Sequence, residues 1–284
     1  MSFYRIMVDS FLLLRACPKL FIPKILIAFL LLPTFILIPE FIVESGIFSI
    51  AQGIFSIAQP ITRQQSIELM QTIMPLIAIV LYGLLIDLID FYLVNPMYPI
   101  MVNDFYRKKQ VLFKPAFRSV VHKFRTIFPT LSVILLISFA ALIPPAVLIV
   151  IALFSGDAML LAASSVVGIL VVFVLFVVFY LIYPVSTLEK FDYRKAIGET
   201  TRASLKHKIN VAKAFVISVA ITGLSYGLGW AITMIDSPDL APKMAIFALI
   251  LVTRLLVALF STYQYVLNSV FYFGFEKRQF LKVA

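Results

Sequence analysis

Asp87 and Asp90 stand three residues apart in an otherwise apolar stretch, so they share one face of a helix, and Arg254 interrupts a second such stretch. A charge in hydrocarbon costs about 2.5–3.5 kcal/mol on insertion scales, which makes pairing, proton transfer or solute binding its default role. Counted from the outer ends of their stretches, Arg254 lies about ten residues in and Asp87 about thirteen, an offset of about 5 Å along a helix. A long arginine spans that distance, and the spacing predicts an Asp87–Arg254 ion pair. Asn95, Tyr263, Gln264 and Asn268 occupy the inner halves of the same two stretches. Asp87, Asp90, Asn95, Arg254, Gln264 and Asn268 thus form a candidate polar seam. It has two readings: a clamp in which charges and amides fix how helices pack, which is favoured, and a proton or solute path.

Other chemistries find little support. Gly223-Leu224-Ser225-Tyr226-Gly227 matches the G-x-S-x-G pattern of nucleophile elbows, but that mechanism needs a strand-turn-helix context and a nearby histidine. The two histidines, His122 and His207, lie in basic segments instead. No H-E-x-x-H, phosphate-binding glycine loop or cysteine pair is present, and two carboxylates alone make a weak metal site. The expectation is a non-enzyme with no cofactor and no metal. Cys17 reads as a reduced apolar filler.

The elements that would carry these residues follow from composition. Of 284 residues, 62% are hydrophobic and 13% charged, against about 45–50% and about 25% in an average soluble domain. A water-soluble fold could not bury so much, and the 27 phenylalanines add to the excess. Six apolar stretches reach the roughly 20 residues that cross a hydrocarbon core, running approximately Ile25–Val43, Met74–Val94, Phe128–Phe154, Met159–Leu181, Val211–Ile235 and Ala245–Phe271. Only Ser155-Gly156-Asp157 separates the third from the fourth, which forces an antiparallel hairpin. Arg5, Asp9, Arg15, Lys19 and Lys24 break up the place of a cleavable signal, so the first span is expected to stay.

The net charge of +10 would suggest nucleic acid in a soluble chain. Here all but Arg63, Lys243 and Arg254 of the 24 basic residues fall in the termini and the two connections on one side, which predicts cytoplasmic termini and no nucleic-acid partner. Arg107, Lys108, Lys109 and Lys114 form one basic cluster and Lys206, Lys208 and Lys213 another. Both are candidate contacts for anionic lipid headgroups.

An internal repeat is also legible. Tyr4, Met7, Phe11 and Leu14 before the first hairpin, and Phe117, Val120, Val121 and Phe124 before the second, have helical apolar spacing in basic surroundings. Phe91-Tyr92-Leu93-Val94-Asn95-Pro96 lines up with Phe179-Tyr180-Leu181-Ile182-Tyr183-Pro184. The expected fold is all-α: six transmembrane helices as three hairpins, each preceded by a basic amphipathic interfacial helix. The units cover approximately 1–103, 104–188 and 189–284 of one transmembrane domain. An external segment of about 44–73 contains an exact tandem repeat, Gly46–Gln52 copied as Gly53–Gln59, that suits a helix lying flat on the membrane.

Tyr180-Leu181-Ile182-Tyr183-Pro184-Val185-Ser186-Thr187-Leu188-Glu189, followed by Tyr193-Arg194-Lys195-Ala196-Ile197 and Ser204-Leu205-Lys206, resembles a recurring signature. It is similar to the six-span membrane-domain family that in some bacteria is fused to, or named after, glycerophosphodiester phosphodiesterases. The resemblance implies the six-span layout more than an activity, because no segment is polar enough to be the soluble phosphodiesterase domain. The role expected is non-enzymatic, through membrane-lipid or partner-protein contacts in a prokaryotic plasma membrane. The rival is a small transporter or permease subunit using the Asp/Arg seam.

Overall fold

The computed structural model describes residues 2–44, 63–235 and 243–277, and every regular element among them is helical. The helices are α1 (Phe3–Ala16), α2 (Ile22–Glu44), α3 (Arg63–Ile89), α4 (Met97–Lys108), α5 (Phe113–His122), α6 (Phe124–Ser155), α7 (Ala158–Phe179), α8 (Ile182–Leu188), α9 (Tyr193–Lys206), α10 (Lys208–Ile235) and α11 (Lys243–Phe275). A 3-10 turn (Pro18–Phe21) joins α1 to α2, and a π turn (Asp90–Val94) follows α3. The tandem repeat at 46–59 lies outside the described residues.

Five stretches of helix are long and apolar enough to cross a membrane: Pro18–Ile38, Ile73–Lys108, Phe124–Ser155, Ala158–Leu188 and Phe247–Phe275. A sixth is reached if Tyr193–Lys206 and Lys208–Leu224, bent by 92° at His207, count as one. Most of the apolar surface of these helices faces outward, as the exposure of Leu136, Phe139, Leu153, Ile169 and Leu170 illustrates. Such a surface is stable where the solvent is hydrocarbon.

Local chemistry sets where the helices stop. At the α6–α7 turn Gly156 takes φ 68°, which closes α6 without a Cβ clash, and Asp157 accepts hydrogen bonds from Met159 N (2.9 Å) and Leu160 N (3.0 Å) to start α7. The chain turns at Asn95–Pro96 because proline disfavours helical backbone at the residue before it. It turns again at Tyr180–Leu181, one turn before Pro184, whose missing N–H would have bonded the Tyr180 carbonyl.

Other prolines do not break their helices. α2 runs unbroken through Pro33 and Pro39, and α6 through Pro129, Pro144 and Pro145. Pro145 is buried, and a Cβ placed on Gly168 of α7 would meet it at 3.7 Å, so a packed neighbour covers the site. Among the described residues nothing lies within 4 Å of such a Cβ on Gly223 or Gly227.

By chain contact the molecule has two compact units, one of Met1–Pro23, Phe91–Leu224 and Phe260–Ala284, the other of Lys24–Asp90 and Ser225–Leu259. The first holds the main hydrophobic core, where Ile6 and Leu13 of α1, Tyr98 and Met101 of α4, Val120 of α5 and Phe271 of α11 are buried. The apolar residues of α1 and α5 divide between core and outer surface, with Leu14 and Val120 of the spaced sets buried. Tyr4 and Phe11 are 71% and 61% exposed while Ile6 and Leu13 point inward, and Phe117 and Val121 are exposed while Ala116 and Val120 are buried.

Candidate functional site

In the second unit Lys24, near the start of α2, meets Asp90 at 2.5 Å, and their side chains are 6% and 19% exposed. Asp90 opens the π turn, a rare geometry that recurs at functional sites, and its Oδ1 is buried without a hydrogen-bond partner. Asp87, one turn earlier, is exposed, and the charges of Lys24 and Arg254 both attract it. The Arg254 guanidinium lies over the Phe35 ring of α2. Lys24 is the hydrogen-bonded partner of Asp90, while the Arg254 charge acts on Asp87. Sequence reasoning counted Lys24 only as a charge at the membrane entrance.

The remaining seam residues belong to the first unit, and two of them satisfy backbone groups. Asn268 of α11 donates from Nδ2 to the Tyr180 carbonyl, the acceptor that Pro184 leaves vacant, and Ser204 Oγ accepts from Leu181 N at 3.3 Å. The break after α7 is thus capped on both sides by side chains. Gln264 donates to the Ser218 carbonyl of α10 at 3.1 Å. Asn95 is buried, and its Oδ1 lacks a partner. Nearby in the same core, Tyr98 OH and Thr262 Oγ1 lie 3.4 Å apart and the Tyr98 ring stacks on Tyr265.

A second polar group of this unit, absent from the sequence reading, gathers around Glu189 at the end of α8. Lys277 approaches it at 2.6 Å and Tyr272 OH donates to it. Burial works against its charge, but these bonds and the nearby Lys123 ammonium hold its carboxyl below the usual carboxylate range. Lys123 itself donates to the Thr187 carbonyl at 2.5 Å, and burial pulls its ammonium below the usual lysine range. At the α9–α10 bend Glu276 receives His207 at 2.8 Å and Lys206 at 3.2 Å. The signal for the Glu189 group was its place just after a helix-ending Thr187-Leu188, opposite a basic chain end.

All seven candidate headgroup residues, Arg107, Lys108, Lys109, Lys114, Lys206, Lys208 and Lys213, are exposed. Lys108 lies 3.9 Å from Asp104, Lys206 faces Glu276, and Lys109 reaches over the Phe105 ring. Apolar side chains share this outward surface: Phe117 and Val121 on α5, and Leu205 and Ile209 at the α9–α10 bend.

Gly223–Gly227 lies within continuous helix α10, which lacks the strand-turn-helix context of a nucleophile elbow. Among the described residues no three His, Cys, Asp or Glu side chains gather as a metal site. The fold and these sites define a class, an all-helical protein whose long apolar helices fit a membrane. No family model matches the chain, nor does any characterised protein or solved structure.

Proposed function

We infer that this chain is a non-enzymatic, multi-pass protein of the plasma membrane that engages anionic lipid with the basic segments at its cytoplasmic face. In this reading the spans form three hairpins with both termini cytoplasmic, and α1, α5 and α9 lie in the interface as their lead-in helices. The resemblance to the phosphodiesterase-associated membrane domain supports that layout. The observation that carries the reading is the joint exposure of basic and apolar side chains on the same short helices: Lys114 and Arg118 beside Phe117 and Val121, and Arg5 and Arg15 beside Tyr4 and Phe11. Exposed apolar groups among cations suit a headgroup boundary, where each Lys or Arg adds about 1 kcal/mol on an anionic surface.

Native mass spectrometry of protein released from nanodiscs of mixed zwitterionic and anionic phospholipid tests this. The wild type should retain anionic lipid in preference, and replacing the seven basic residues by Gln should erase the preference. Equal retention of both lipids by the wild type would overturn the reading. A small transporter or permease subunit is the second reading, favoured by the partnerless buried oxygens of Asp90 and of Asn95. It predicts solute or proton flux in reconstituted vesicles that Asp90→Asn abolishes while the fold persists.

A further inference from the structure

Two bases share one carboxylate oxygen beyond the end of α11. Glu276 Oε1 meets His207 Nε2 at 2.8 Å and Lys206 Nζ at 3.2 Å. An ionised carboxylate only accepts hydrogen bonds, so Nε2 carries a proton even while the imidazole is neutral, and a further proton on Nδ1 makes His207 a cation. The two bases differ in their settings. The His207 side chain is 17% exposed, seated at the 92° bend between α9 and α10 with its ring against Phe275 and Phe271, whereas the Lys206 side chain is 60% exposed. Of the other ionisable groups around the bend, Lys208 at the start of α10 is exposed, and Lys277 and Tyr272 both bond Glu189, the acid at the end of α8.

Histidine is the side chain that ordinarily gains its charge between pH 8 and pH 5. A mostly buried imidazolium needs the acid more than a solvated lysine does, because stranding a buried cation is costly while an exposed ion pair contributes little. We propose that His207 and Lys206 compete for Glu276, so that acidification hands the acid to His207 and releases Lys206 to an anionic phospholipid headgroup. This rests on the lipid reading above and gives one of its sites a regulator. Lys206 belongs with Lys208 and Lys213 to one basic cluster, and the exposed Leu205 and Ile209 flank the bend. The coupling is reciprocal: a headgroup that takes Lys206 favours proton uptake by His207. His122, exposed at the end of α5, supplies the control.

Lipid selectivity at two pH values tests the exchange. The full chain is equilibrated in mixed micelles of phosphatidylcholine and phosphatidylglycerol, whose phosphodiester keeps one negative charge throughout, and the retained lipid is counted by native mass spectrometry at pH 8 and pH 5.5. The wild type should enrich phosphatidylglycerol roughly three- to sixfold more at pH 5.5, the worth of one added basic contact at an anionic surface. His207→Gln and Lys206→Gln should each remove the pH response, and His122→Gln should keep it. A wild-type preference that is equal at both pH values would overturn the proposal and leave the lipid reading standing, without relying on any variant. No preference at either pH would overturn both. A response that survives in His207→Gln would place the sensor elsewhere, and one that survives in Lys206→Gln would reduce it to added charge; either result sinks the exchange.

Discussion

Lys24 and Asp90, 66 residues apart in sequence, form a 2.5 Å ion pair with only 6% of the lysine side chain exposed. A buried pair is a weak net stabiliser, yet removing one member strands the other charge. Lys24→Met and Asp90→Leu should each destabilise by roughly 3–5 kcal/mol, while the double variant recovers most of that loss. Reversible denaturation in mixed micelles measures the cycle. Additive losses would mean that the two residues act independently.

Thr34 and Gly83 bring α2 and α3 together: a Cβ on Gly83 would lie 3.1 Å from Thr34 Cγ2. Gly83→Ala gains about 1 kcal/mol of helix propensity but must displace Thr34, and Gly83→Leu should cost about 1–3 kcal/mol through overpacking. Adding Thr34→Ala should rescue the alanine variant. The comparison of melting temperatures with and without Thr34→Ala isolates the contact.

Two acids outside the spans should give opposite pH slopes. Burial raises the Asp9 carboxyl above its ordinary range, partly offset by Arg5, so its ionised form costs stability, and the fold should gain stability as pH falls through that raised pKa. Glu189 is held below 4.5 by Lys277 and Tyr272, so its contribution is full above the ordinary range and disappears as pH falls through the lowered pKa. Asp9→Asn should therefore be more stable than wild type near neutral pH and Glu189→Gln less stable. Thermal scans over a pH series distinguish the two, each variant flattening its own part of the profile.

The apolar lengths made the spans visible in the sequence, and Ser155-Gly156-Asp157 announced its turn because few residues serve as both a left-handed cap and a helix start. The inward faces of α1 and α5 were legible only in part. Apolar periodicity marks a buried face only where the outside is water. Here Tyr4, Phe11 and Phe117 repeat with helical spacing and face outward, as an interfacial helix allows, while Leu14 and Val120 of the same sets join Ile6 and Leu13 in the core. The seam was legible by residue type but not by partner. Depth along two helices could be counted for Asp87 and Arg254, whereas the rotation of each helix about its axis decides which acid meets which base. That rotation gave Asp90 to Lys24.

Asn268 separates the clamp from the conducting path most directly. Its amide donates to the Tyr180 carbonyl because Pro184 has no N–H to offer, so the side chain stands in for a missing backbone bond. Asn268→Leu removes that donor and leaves a buried carbonyl unsatisfied, at a cost of about 1–3 kcal/mol. A conducting amide would behave differently, since its loss changes flux before it changes stability. Denaturation midpoints and vesicle flux measured on the same preparation should show a lowered midpoint with unchanged flux. Pro184→Ala in the Asn268→Leu background should restore part of the midpoint, because alanine at that position supplies the backbone N–H that the amide replaced. A path residue has no reason to respond to a backbone donor returned one turn after the break.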